Sequence, residues 1–147
     1  MTSVFTDTDV ILDFISGRQP FAIPAAGIFE AIHRGRIKAF TSSLSFSNLY
    51  YVLRKWHPPK KVISMLDSLT GYLSIVNVDE GIIKSALKSP FKDFEDAIQN
   101  LSAQSNKDIS IIITRNIKDF KLSDLPVMTP ETFLKTIQFS KEGSLES

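Results

Sequence analysis

The run Ile109-Ser110-Ile111-Ile112-Ile113-Thr114 places four isoleucines in six residues. Their branched Cβ atoms restrict χ1 and favour extended backbone. A strand with so little polar alternation needs cover on both faces, which is the situation of a parallel strand sandwiched between helices. The run therefore calls for an α/β sheet and is expected to lie at its centre.

The rest of the chain agrees with that demand, because strand-like and helix-like patterns alternate along it. Val4 to Thr6 reads as a strand and Asp9 to Ser16 as a short helix that Thr8 or Asp9 can cap, broken by Gly17-Arg18-Gln19-Pro20. Ala22 to Arg34 has helical spacing through Ile28, Phe29 and Ile32, with Pro24 tolerable in the first turn and Gly35 as a stop. A short strand follows from Arg36 to Thr41. Helical spacing returns from Ser43 to Lys55, until His57-Pro58-Pro59 ends it. Lys60 to Leu69 gives a helix, Tyr72 to Val78 a strand, and Glu80 to Leu87 and Asp93 to Gln104 two more helices. Val127-Met128 is a last short strand, and Thr129-Pro130-Glu131 opens a last helix. Repeated β-α units imply a three-layer α/β/α arrangement around a mainly parallel sheet of about five strands.

Composition narrows the chemistry. The 147 residues, 43% hydrophobic and 22% charged, suit one globular domain over residues 1–139 with a polar, flexible tail over 140–147. With no cysteine, disulfides, thiolate nucleophiles and cysteine metal sites are excluded. His33 and His57 are too few for a histidine-rich zinc site and have no partner pattern. The absence of a long apolar run argues against a membrane span, and the early acidic residues argue against a signal peptide, so a cytoplasmic location is expected. A net charge of +1 leaves nucleic-acid binding to a local patch.

The acids fall at the places where an open α/β sheet binds its ligands. Asp7 follows the first strand, Asp93, Glu95 and Asp96 open a helical pattern, and Asn116 and Asp119 follow the isoleucine-rich run. Four segments in this order, FTDTDVILDF, SSLSFSNLYYVLRK, DFEDAIQNLSA and IIITRNIKDF, resemble the PIN-domain family of metal-dependent ribonucleases, and within it the VapC-like toxins of bacterial toxin–antitoxin pairs. The resemblance spans almost the whole chain. It implies a Mg²⁺- or Mn²⁺-dependent endoribonuclease acting on RNA, partnered by an antitoxin protein and assembled as a homodimer.

Carried over by position, the resemblance puts the family's first aspartate on Asp7, its next polar position, commonly asparagine, on Asp9, and its third acid on Asp96. The fourth motif falls on Thr114, Asn116, Asp119 and Phe120. Two departures remove negative charge: Asn48 stands where the family has a glutamate, and Asn116 where it has an acid. A hard cation such as Mg²⁺ needs only two or three converging carboxylates, because it keeps several waters. Asp7, Asp96 and Asp119 are thus the expected metal ligands, with Asn48 and Asn116 completing the catalytic set as uncharged members. Weaker metal affinity is expected, with Asp9, Asp93 or Glu95 supplying charge.

Each residue has a plainer reading beside the functional one. Asp9, Asp93 and Glu95 would be favourable at helix N-termini in any protein, and Asp119 would serve as a turn residue. Asn48 interrupts an apolar helical face, where an unpaired amide is costly. Thr114 could orient water and Arg115 hold a phosphate, or Arg115 could be an exposed loop cation. Arg54, Lys55, Lys60 and Lys61 around Trp56 and His57 could steer single-stranded RNA or be a solvated helix end, and Tyr50 and Tyr51 are expected in the core or a subunit contact. Two other functions compete. Asp7-Thr8-Asp9 resembles the opening of haloacid-dehalogenase-type phosphatases, with Asp7 as nucleophile and Asp9 as acid–base partner. Loss of charge at Asn48 and Asn116 would instead leave an RNA- or protein-binding module.

Overall fold

The computed structural model describes the backbone of residues 1–146 and the side chains of residues 1–138. Its elements are β1 (Thr2–Thr6), α1 (Thr8–Ser16), α2 (Ala22–His33), β2 (Ile37–Ser42), α3 (Ser43–Leu53), α4 (Pro59–Leu69), β3 (Leu73–Val76), α5 (Glu80–Leu87), α6 (Phe94–Ser105), β4 (Ile109–Ile113), a 3-10 turn (Ile117–Phe120), β5 (Val127–Met128) and α7 (Pro130–Glu146). The five strands form one sheet in the order β3-β2-β1-β4-β5, and every pairing is parallel. Ser147 and the side chains of the supposed tail lie outside the described residues.

The isoleucine-rich strand does not take the central position expected of it. β1 is central and β4 is its neighbour, because the chain adds β5 outside β4 and places β2 and β3 on the other side of β1. β4 also breaks the two-residue period. Between β1 and β4 the register jumps from Ser3↔Ile109 to Val4↔Ile111, so Ser110 is an extra residue on the β4 side. Such a bulge turns the following side chains over. Ile109 packs with Phe5, Phe40, Val76, Ile112 and Phe120, whereas Ile111 and Ile113 pack with Val4 and Ala39 on the opposite face.

The two faces carry different cores. Val4, Ala39, Leu73 and Ile113 meet α1, α2, α3, α4 and α7 through Val10, Ile11, Ile28, Phe29, Leu49, Leu53, Val62, Leu66 and Phe133. Phe5, Phe40, Val76 and Ile112 meet α6 and the 3-10 turn through Ala103 and Phe120, and α5 packs outside α6 through Ile82, Ala86, Ala97 and Ile98. This is the expected three-layer architecture. Tyr50 packs against the first core, but Tyr51 is exposed and belongs to neither. No helix among the described residues is long and apolar enough to cross a membrane.

Parallel strands share one direction, so their carboxyl ends gather on one edge of the sheet. β1 ends at Thr6, β2 at Ser42 and β4 at Ile113, and each runs directly into a segment that carries candidate chemistry.

Candidate active site

Asp7 is fixed by backbone and side chain together. Its N–H donates to the Ile113 carbonyl at 2.9 Å, which ties the end of β1 to the end of β4. The extended backbone at Asp7, φ −69° and ψ 155°, makes it the N-cap of α1, and its Oδ1 accepts from the Thr8 N–H at 2.8 Å. Asp7 thus takes the capping role expected of Thr8 or Asp9, since both of those already lie in the first helical turn. Its other oxygen, Oδ2, accepts from the Thr114 hydroxyl at 2.8 Å.

Thr114 joins two carboxylates. The same hydroxyl lies 3.4 Å from Asp9 Oδ2, which also accepts from the Arg115 N–H at 3.3 Å and from the Asn116 side-chain amide at 3.0 Å. One hydroxyl proton cannot serve both acids fully. Asp9 Oδ1, meanwhile, is buried and has no hydrogen-bond partner among the described residues. Burial raises the Asp9 carboxyl to about 7, helped by the negative charge of Asp7 and opposed by Arg115. Burial likewise raises Asp7, against the hydrogen bonds from Thr114, Thr8 and Gln99.

From the other side, α6 brings Asp96. Asp93 caps this helix by accepting the Asp96 N–H at 2.9 Å, so its expected placement at a helix N-terminus is met by a specific bond. Partial burial, then the charges of Asp93, Asp7, Asp119 and Glu95, raise the Asp96 carboxyl to about 7. Asp7, Thr8, Asp9, Asn48, Glu95, Asp96 and Gln99 line a cleft of about 260 Å³, whose remaining wall is apolar through Leu12, Leu44, Val52 and Ile98. Asp119 is exposed on the 3-10 turn, beside Asp96 in an adjoining cleft.

The structure therefore brings together Asp7, Asp9, Asp96 and Asn48, with Asp119 at the margin, and it sets Asn116 apart. Asn116 spends its amide on Asp9 and does not line the cleft. Arg115 is no exposed loop cation. It forms a two-pronged ion pair with Asp13, Nε to Oδ2 at 2.9 Å and Nη2 to Oδ1 at 3.2 Å, and its guanidinium lies 4.0 Å from the Phe21 ring centre. With Nε and Nη2 engaged, it holds the loop after β4 against α1. The Arg54 to Lys61 cluster lies outside the cleft: Arg54 bonds the His57 carbonyl and Lys55 lies over Tyr51, as at a solvated helix end.

Three residues of the site escaped sequence reasoning. Gln99 Nε2 donates to Thr8 Oγ1 and Ser45 Oγ, each at 3.0 Å, and lies 3.5 Å from Asp7 Oδ1. Ser45 Oγ also contacts Thr41 and Ser42, at 2.9 and 3.1 Å, so a buried hydroxyl cluster supports the wall behind Asp7. Asp13, 1% exposed, anchors Arg115. The signal lay in helical spacing: Gln99 is three residues after Asp96, Ser45 three before Asn48 and Asp13 four after Asp9, each pair on one helix face.

The donor set suits a hard cation. It consists of oxygen atoms, it includes an unpartnered buried carboxylate oxygen, and its acids raise one another's pKa in a way that a positive charge would relieve. Among the described residues no three His, Asp or Glu side chains are grouped closely enough to hold a metal ion between them. The fit is thus to an ion such as Mg²⁺ or Mn²⁺ held by one or two carboxylates and otherwise by water.

Comparison with known proteins places this arrangement. The PIN domain family matches residues 3–118. Ribonuclease VapC1 of Aquifex aeolicus strain VF5 is 30% identical over 138 residues, covering 88% of this chain and 92% of that protein. A toxin–antitoxin complex from Klebsiella pneumoniae contains a chain with a TM-score of 0.63 and 26% identity, covering 86% of this chain and 97% of its own length. VapBC2 of Rickettsia felis, solved with a DNA fragment from its promoter, has a TM-score of 0.61 at 15% identity, covering 86% of this chain and 97% of that one, and shares the fold.

Proposed function

Because the chain belongs to the PIN-domain family, we propose that it is a metal-dependent endoribonuclease and the toxin of a toxin–antitoxin pair. The observation that carries this reading is the convergence of Asp7, Asp9 and Asp96 on one cleft at the carboxyl edge of a parallel sheet. The phosphatase alternative falls with the family match. The ribonuclease and toxin–antitoxin names of the relatives support the same activity and an antitoxin partner, and the proposal takes the active form to be a homodimer in the cytoplasm.

Asp7 and Asp96 would hold Mg²⁺ or Mn²⁺, with Asp9 Oδ1 and Asp119 adding negative charge. Such an ion, when bound, lowers the pKa of a coordinated water and offsets charge on a phosphodiester. The protein's part is positioning. Thr114 fixes Asp7 Oδ2, the Thr8 N–H fixes Oδ1, and Gln99 fixes the wall behind them. Asn48 contributes an amide without charge, able to hydrogen-bond a phosphate oxygen or a water in the cleft. The apolar wall of Leu12, Leu44 and Val52 limits solvent around the reacting phosphate.

Incubation of single-stranded RNA with purified protein and Mg²⁺ or Mn²⁺, beside Asp7→Asn and Asp96→Asn, tests the proposal. Cleavage by wild type that falls at least a hundredfold in both variants is expected; equal cleavage by all three would identify a contaminant. Cation binding by calorimetry with no cleavage of any RNA would favour the binding module, the reading supported by neutral Asn48 and by Asn116 turned toward Asp9.

A further inference from the structure

A second cleft of about 260 Å³ adjoins the first and shares Asp96 with it. Lys92 borders it from the loop before α6, Lys118 and Lys121 from the 3-10 turn and the residue after it, and Phe91 and Leu122 supply apolar wall. Phe91 is seated edge-on against the buried Phe120, with ring centres 6.1 Å apart and planes at 73°, so this wall is fixed by the core.

The lysines are exposed, and none of the three lies within 4.0 Å of a carboxylate among the described residues. Lys84 and Lys135, by contrast, pair with acids on their own helices. The charge around the acidic cleft is also one-sided. Beyond its acids the first cleft offers Leu12, Leu44 and Val52, and no cation, whereas the adjoining cleft sets three lysines beside Asp93, Asp96 and Asp119. Of the two clefts, the one on the Asp119 side is where a strand crossing the acids meets lysines.

We propose that the cleft between Lys92, Lys118 and Lys121 binds the phosphate of the nucleotide next to the one cut, with Phe91 and Leu122 against its ribose or base. This rests on the ribonuclease reading and adds the direction in which the RNA leaves the acids. Lysines act here as mobile point charges on backbone phosphate, giving affinity with little sequence preference. The apolar wall suits the flat face of any base.

The test uses full-length Asp7→Asn protein and a fluorescent single-stranded RNA, with anisotropy read over a salt series. Adding Lys118→Ala and Lys121→Ala is expected to weaken binding about tenfold at low salt. It should also flatten the slope of log K against log salt by about 0.7, the contribution of one phosphate contact on a single strand. Adding Lys38→Ala and Lys107→Ala, which removes two charges near the starts of β2 and β4, should change neither quantity. In otherwise wild-type protein the Lys118/Lys121 change should raise KM with kcat preserved.

Affinity, slope and KM unaffected by the Lys118/Lys121 change, an equal loss in the Lys38/Lys107 control, or no RNA binding at all would each overturn the proposal. Lysine-dependent binding by a wild-type protein that cuts no RNA would sink the ribonuclease reading and leave the cleft assignment standing. Cleavage indifferent to these lysines would do the reverse.

Discussion

Raising the pH from 5 to 8 in EDTA should destabilise this protein, and Mg²⁺ should reverse the loss. Asp9 and Asp96 have ordinary values of 3.8 and folded values of about 7. Between those limits the folded state binds more protons than the unfolded chain, so stability is full below about 4 and falls as pH rises toward 7. From pH 5 to 7 a fully buried acid would lose about 3 kcal/mol, at about 1.4 kcal/mol per unit. Asp96 is only partly buried and its charge is screened, so the discounted loss for the whole site is about 2 kcal/mol. In a chain of this length that corresponds to a fall of about 6 °C in Tm. A divalent cation replaces the missing protons only where the acids are ionised. At a hundred times its Kd it would return about 2.7 kcal/mol at pH 8 and far less at pH 5. Thermal melts at the two pH values, with EDTA or Mg²⁺, provide the measurement. A Tm that holds or rises from pH 5 to 8 in EDTA would refute the argument, as would equal Mg²⁺ increments at both pH values.

Arg115→Met leaves the buried Asp13 carboxylate unpaired and removes the contact with Phe21, at a cost of about 3 kcal/mol. Urea unfolding should show it, with Asp13→Leu recovering most of the loss in the double variant; a change below about 1 kcal/mol would deny the pair its structural role. Gln99→Leu keeps the side-chain volume and discards both an amide donor and an orphaned carbonyl oxygen, Oε1. Its stability cost should stay near 1 kcal/mol, while RNA cleavage falls about tenfold; full activity would show that the wall behind Asp7 does not depend on Gln99.

Helix and strand placement was legible because apolar periodicity reports which face of an element is covered. Ala22–His33 and Ser43–Leu53 lie within two residues of the sequence reading, and β5 occupies the expected Val127–Met128. The centre of the sheet was not legible. β4 is the most apolar strand, yet apolar cover says only that a strand is internal, and β1 qualifies equally through buried Val4 and Phe5. The bulge at Ser110 was hidden for the same reason: four isoleucines suit either face and carry no mark of the inversion.

The sequence by itself determined the chemistry available: oxygen donors with neither thiol nor histidine cluster, and acids delivered to strand ends and helix starts. Tertiary structure decided which of those groups meet. It paired Asn116 with Asp9, seated Arg115 on Asp13 and Phe21, left Asp9 Oδ1 without a partner among the described residues and placed three lysines on one side of Asp96. The reason is one of range. Helical and strand periods act over a few residues, whereas Asp9 and Asn116 are 107 positions apart and meet only because parallel strands end along one edge.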